Sequence, residues 1–331
     1  MQFIERKAVL DQLQCARSRS SIVVISGLYG AGKSTLLAQI AHLLREERPP
    51  IRILTIDGEN RDEQGRTGAE LVRDAKALGV GPSALFIDNA EMIEDLAPAL
   101  QAILARHTVT IILAGRNSRT LETLIDRHFS TEGSISRETI TVYPLSYPEF
   151  IQATGRKESR ETLDLYCRTG GLPQSLLVDP TSPDSRELHR IRSNSFLLTE
   201  LIEVHAIRNP VYIRHILSLV ARNTGERLSA RMVCAVFSRM RLTISPQSAL
   251  DYLAFCQDSG ILIATPLFDI TKNRIVENCE SWYFADAGLR SSFCPLDNSR
   301  ELSPAEENLA LLRRISDGWK VMRGRLGSGS A

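Results

Sequence analysis

The stretch GLYGAGKS, residues 27–34, fits the pattern G-x-x-x-x-G-K-S. Its flanks matter as much as the match. Upstream, SIVVIS (21–26) is a short apolar run rich in β-branched residues and reads as a buried strand. Downstream, STLLAQIAHLLREE reads as a helix. A glycine loop joining a strand to a helix is the context that gives this pattern its meaning. Gly27, Gly30 and Gly32 let the backbone aim successive N–H groups into a concave anion nest, with Leu28, Tyr29 and Ala31 completing its wall. The helix that follows adds the partial positive charge of its N-terminus. Lys33 is expected to reach the β- and γ-phosphates of ATP, the Ser34 hydroxyl to ligate Mg²⁺, and Thr35 to touch the α-phosphate.

Four more apolar runs follow: IRILTID (51–57), ALFID (84–88), VTIILAG (109–115) and ETITVYP (138–144). Between them lie the helix-like stretches GAELVRDAKAL, EDLAPALQAILARH and SRTLETLIDRHF. This alternation predicts an α/β fold, a parallel sheet with helices on both faces. Residues 3–15 read as an amphipathic helix, with Ile4, Ala8, Leu10 and Leu13 on one broad face.

LFIDNAEM (85–92) raises the mechanistic question. Its apolar lead-in delivers Asp88 to the end of a strand, where a carboxylate partners Mg²⁺. Asp57 also ends a strand, and with its less apolar lead-in reads as a loop acid. After Asp88 stands Asn89, which can orient a water but cannot accept its proton. Loss of a well-placed base costs about 10²–10⁴ in rate. Glu91 is a candidate replacement if the chain bends to bring it back.

After Pro144 the pattern turns helical, broken by Gly155, by GGLP (170–173) and by DPTSPDS (179–185). From about residue 207 come VYIRHILSLVAR, LSARMVCAVFSRM (228–240) and ISPQSALDYLAFCQDSG (244–260). In the last, Ser245 suits the N-cap, Pro246 the first helical position and Gly260 the exit. ILIATPLF, ITKNRI and ENCESWYFAD then suggest a hairpin, and three helices followed by a hairpin outline a winged helix. The expected organisation is a P-loop core over 1–150, a helical lid over 151–206, a winged-helix-like domain over 207–290 and an extension over 291–331. The tail RGRLGSGSA (323–331) is Gly/Ser-rich and is expected to carry no fold; it reads as flexible or as a cut end.

The formal net charge is +1, which imposes no global attraction to nucleic acid. The six cysteines show neither C-x-x-C pairing nor zinc-like spacing with histidine, and read as core thiols of a reducing compartment. Charges at Glu5, Arg6, Lys7 and Asp11 interrupt any signal-like apolar segment, and no membrane-length apolar run occurs. A cytoplasmic location is expected.

Taken together, FIERKAVLDQL, ISGLYGAGKSTLL, LFIDNAE, IILAGRNS, VYPLSYPEF, GGLPQSLL and WYFADAGLR resemble, in order, the AAA-type bacterial and archaeal P-loop ATPases that carry a winged-helix region and a C-terminal domain of poorly known function. GKST alone is widespread; PLSYPEF, then GGLP, then YFADAGLR is far more specific. The resemblance implies ATP (or ADP) and Mg²⁺ as ligands. It implies that Phe3 and Arg6 line an adenine pocket and that Pro173 closes it. It implies that Ala114–Asn117, including Arg116, occupies a sensor position near the γ-phosphate, and that Arg137 precedes the strand leading to PLSYPEF. For each of these, core packing or a solvated surface is the bland alternative.

Relatives of this kind usually carry Glu where Asn89 stands, so the resemblance implies nucleotide binding with slow hydrolysis, or a nucleotide-bound module that does not hydrolyse. Such relatives often continue past a stretch like GWKVMRGRLG into a nuclease-like fold; no acid–lysine cluster for that chemistry occurs here. A small-molecule kinase is disfavoured because no kinase-type lid or substrate-acid pattern is evident. Partners stay open. Arg222, Arg227, Arg231, Arg239, Arg241, Lys272 and Arg274 could contact DNA phosphates, yet PQSALDYLAFCQD, the candidate recognition helix, offers only Gln247 and Gln257. A protein partner or self-association is the alternative.

Overall fold

The computed structural model describes residues 4, 6–47, 51–58, 66–79, 81–106, 108–115, 118–129, 135–177, 201–202, 205, 207, 209–294, 302–316 and 318–325. Phe3, Arg116 and the DPTSPDS segment lie outside the described residues. The chain divides into two compact units, Met1–Val142 and Tyr143–Ala331. Helix α6 (Tyr147–Thr154, below) runs across residue 150, where the sequence suggested a boundary.

The first unit begins with α1 (Lys7–Arg19), then β1 (Ile22–Ser26), α2 (Lys33–Glu46), β2 (Arg52–Asp57) and α3 (Gly68–Ala75). β3 (Ser83–Asp88), α4 (Leu96–Leu104), β4 (Val109–Ala114), α5 (Ser118–Phe129) and β5 (Arg137–Thr141) complete it. The five strands are parallel in the order β2-β3-β4-β1-β5. β1, β3 and β4 are buried along nearly their whole length, as their continuous apolar runs require of central strands covered on both faces. One core of side chains from β1, β3 and β4 packs on Leu71, Leu100, Ile103, Leu121, Ile125 and Phe129 of the helices. The N-terminal helix starts at Lys7, later than the periodicity suggests. α3 opens with a reciprocal capping box between Thr67 and Glu70, which satisfies two otherwise orphaned amides.

The second unit contains α6 (Tyr147–Thr154), α7 (Arg160–Thr169), α8 (Pro210–Arg222), α9 (Ala230–Arg239), α10 (Pro246–Asp258), β6 (Leu262–Asp269), β7 (Arg274–Phe284), α11 (Ala287–Phe293), α12 (Leu302–Ser316) and β8 (Arg323–Arg325). α8–α10 followed by the antiparallel β6–β7 hairpin is the element order read from the sequence. Ser245 accepts the Ser248 amide as N-cap of α10, and Gly260 leaves it at φ 72°. The register of the hairpin shifts between Thr265 and Leu267, around Pro266, which has no N–H to give the ladder.

The C-terminal extension departs from expectation. Arg323–Arg325, assigned to a structureless tail, pairs parallel to Leu267–Asp269 as a third strand. The Arg323 guanidinium bonds the Gly225 carbonyl and, at 3.1 Å, the Ser281 hydroxyl. Asn308 of α12 exchanges hydrogen bonds with the Phe284 backbone, accepting at 2.8 Å and donating at 3.0 Å.

The three most specific motifs meet in this unit. Leu145 of PLSYPEF donates its amide to the Gly171 carbonyl (2.8 Å) and accepts the Tyr166 hydroxyl (2.7 Å). Asp286 of the FADAG segment accepts the amides of Gly171 (2.7 Å) and Leu289 (2.9 Å), and also those of Gly288 and Leu172. The backbones approach so closely that a Cβ on Gly171 would strike the Leu145 carbonyl, and one on Gly288 the Thr169 carbonyl. GGLP and FADAG are thus first of all a packing joint.

Burial raises the Asp286 carboxyl from an ordinary 3.8 to about 6, against the amides that favour its charge. The native state therefore holds this proton more tightly than the unfolded chain does. The stabilisation is complete below about pH 4 and is lost as pH rises through 6. In urea titrations, the stability of the wild type relative to Asp286→Asn is expected to fall between pH 4 and pH 7; a constant difference contradicts the assignment.

Candidate nucleotide site

The site is built at the C-terminal ends of the parallel strands. β1 ends at Ser26, and the glycine loop turns over that end with φ 131° at Gly27, 77° at Gly30 and 96° at Gly32. These angles exclude most side chains, and a Cβ at Gly27 would also collide with the Val142 carbonyl. Leu28 and Ala31 are buried under the loop, while Tyr29 is partly exposed. The Lys33 ammonium lies beneath it, donating to the Gly27 (2.8 Å) and Leu28 (3.1 Å) carbonyls. Ser34 and Thr35, in the first turn of α2, face solvent.

Asp88 ends β3. Its carboxylate accepts the Ser34 hydroxyl and, at 3.0 Å, the Asn89 amide. Desolvation raises its pKa; Ser34 and Asn89 oppose the shift, neighbouring Asp57 adds to it and Lys33 opposes it again. One hydroxyl and one carboxylate side by side, next to a phosphate-binding loop, are the hard oxygen donors that Mg²⁺ takes together with phosphates and waters. The donor set fits that ion, with Ser34 and Asp88 as the residues that would hold it.

Asn89 takes up the left-handed conformation at φ 48°, which asparagine tolerates better than most residues. It is 8% exposed. Its side-chain amide donates to Asp57 at 2.9 Å. Asp57 ends β2, in register with Asp88. Asp57 is therefore part of the strand-end acid pair rather than a loop acid, and the sequence signal for this was its position closing an apolar run. In the strand order, β2 lies on the side of β3 away from β1 and its loop. Asn89 is thus turned toward β2.

The left-handed turn leads into a single 3₁₀ turn, Ala90–Met92, which bends the chain back. The Glu91 carboxylate lies on Gly115, directly after β4, where an added Cβ would touch it. Glu91 is on the β4 side of β3 and Asn89 on the β2 side.

Arg6 is buried and donates to the Ala31 carbonyl at 3.4 Å, which holds the N-terminal segment on the glycine loop. Gln39 of α2 donates to the Ile4 carbonyl at 2.8 Å and fixes the same segment. Arg137, expected at the strand leading to PLSYPEF, lies away from the glycine loop. It begins β5 in register with Ile22, so it stands at the opposite edge of the sheet from the glycine loop and pairs with Asp126 of α5. A strand start in a parallel sheet cannot reach the strand ends four residues on, about 13 Å away. Pro173 begins a 3₁₀ turn, Pro173–Leu177, in the second unit.

Comparison with known proteins agrees with this geometry. Residues 19–151 match the family model of the AAA domain. Over that stretch the chain is similar to the AAA domain. Residues 160–300 match a second family model, a domain of unknown function (DUF8612). An uncharacterized protein of Haemophilus influenzae is 21% identical over 334 residues, covering 98% of this chain and 82% of the relative. The solved Walker-type ATPase of Pyrococcus abyssi shares the fold, with TM-score 0.61 and 14% identity, over 88% of this chain and 95% of that one. No helix among the described residues is long and apolar enough to cross a membrane.

Two substitutions separate the two tasks of Asn89. Asn89→Gly keeps the left-handed turn and loses the bond to Asp57, whereas Asn89→Ala loses both. Alanine is expected to be less stable than glycine by about 1 kcal/mol in thermal unfolding; equal stability contradicts a strained turn.

Proposed function

We propose that this protein binds ATP with Mg²⁺ and works as a nucleotide-dependent conformational switch whose hydrolysis is slow. Lys33 and the loop amides hold the phosphates; Ser34 and Asp88 hold the ion; Arg6 and, by resemblance, Phe3 border the base. Electrostatic positioning of phosphate is separate from activation of water, so it survives the loss of a base. The observation that carries slow hydrolysis is the Asn89–Asp57 hydrogen bond (2.9 Å). It commits the side chain after Asp88 to the β2 side, and an amide there has no proton-accepting role in any case.

Glu91 favours a second reading. Its carboxylate packs on Gly115 at the end of β4, the strand between β3 and β1. A carboxylate held there is on the correct side to polarise a water. Glu91→Gln decides between them when measured for both Mg-ATP affinity and turnover. Under slow switching, neither changes. A drop in turnover of about 10²-fold or more at unchanged affinity assigns Glu91 as the base. The switch itself predicts that ATP and ADP give different limited-proteolysis patterns, a difference that Lys33→Ala abolishes.

The resemblance to winged-helix-bearing relatives is supported by the order of α8, α9, α10 and the β6–β7 hairpin. α10, the candidate reading helix, exposes Gln247, Leu250, Ala254 and Gln257 and has no cation. A role as a packing or docking module fits this surface better than base readout.

A further inference from the structure

Helix α9 turns one stripe to solvent. Arg231, Ala235, Ser238 and Arg239 are exposed at spacings of four, seven and eight residues, while Val233 and Phe237 are buried on the other side. Met232 flanks the first arginine and Met240 the second, 46% and 43% exposed. An arginine–methionine pair therefore occurs twice, about 12 Å apart at ~1.5 Å rise per residue. Arg241 extends the second pair.

The charge here is one-sided. Residues 227–250 contain four arginines, Arg227, Arg231, Arg239 and Arg241, and no Asp or Glu, in a chain whose net charge is only +1. Among the described residues no ion pair engages Arg231, Arg239 or Arg241. At the same end of the helix, Tyr212 packs on Phe237 (ring centroids 5.2 Å) and donates its hydroxyl to the Thr243 carbonyl (3.0 Å). This ties the start of α8, where Val211 is 53% exposed, to the end of α9 and the turn after it.

Cations alone would suit phosphates, which are also met by amides and hydroxyls but gain nothing from thioethers. Arginine and methionine together are the composition of protein interfaces, where methionine adapts to apolar side chains and arginine to carboxylates. We propose that the α9 face is a docking surface for a partner protein segment that carries carboxylates and large apolar side chains together, in two pairs about two helical turns apart. An amphipathic helix laid along the stripe satisfies this spacing.

The test uses the full chain and fluorescence anisotropy with a labelled helical peptide of about 18 residues that carries two Leu–Glu pairs eight residues apart, a spacing of about 12 Å. Comparators are the same peptide with serine for leucine, and a labelled DNA duplex of similar length. Circular dichroism confirms that the variants fold. Removing central contacts of such an interface costs upwards of about 1 kcal/mol each, so affinity for the Leu–Glu peptide is expected to fall at least about thirtyfold in M232S/M240S and further in R231E/R239E. The serine peptide is expected to bind more weakly than the leucine peptide. Absence of peptide binding, or binding unchanged in both variants, overturns the proposal. Tighter binding of the duplex, lost in R231E/R239E and kept in M232S/M240S, overturns it in favour of a nucleic-acid surface.

Discussion

A carboxylate that is partly removed from water must be repaid with donors, and Asp88 sets this condition for the first unit. Desolvation opposes its charge, so the fold gives it the Ser34 hydroxyl and the Asn89 backbone amide as donors, with the Lys33 ammonium as a nearby opposite charge. These groups come from two constraints. Ser34 and Lys33 are delivered by the glycine loop, whose positive-φ residues let α2 start over the end of β1. The Asn89 amide is delivered by a left-handed turn that also sends its side chain to Asp57 and Glu91 to Gly115. The Asn89 and Glu91 side chains are thereby sent in different directions across one sheet.

The second unit has its own buried carboxylate. Asp286 joins Gly171 to the start of α11, a connection between positions 115 residues apart. Here the donors are backbone amides, and the glycines exist to let those backbones meet. The same corner continues through Phe284 to Asn308 and so secures α12. A motif can therefore recur for packing as readily as for chemistry.

Local pattern made much of this legible. Five apolar runs became five parallel strands because central strands need little beyond β-branched, apolar sequence. The glycine loop announced its position and its partner lysine, and Ser245 and Gly260 marked the ends of α10. What was not legible depends on three dimensions. The direction of the Asn89 side chain follows from φ at one residue and from β2 lying outside β3. How Arg137 lies relative to the glycine loop follows from the sheet, in which β5 starts level with Ile22, at the end away from that loop. Arg323–Arg325 has no periodicity of its own and is a strand only because β6 offers it a ladder.

The central claim is that phosphate binding is intact while water activation is not. Single-turnover hydrolysis of Mg-ATP by the purified protein, with binding measured in parallel and Lys33→Ala as control, tests it most directly. A typical enzyme turns over at about 10 s⁻¹ and lack of a base removes about 10²–10⁴, so a protein that holds ATP in a Lys33-dependent way and cleaves it at roughly 10⁻¹ s⁻¹ or slower is the expected result. Cleavage near ~1 s⁻¹ or faster that vanishes in Lys33→Ala would contradict the account.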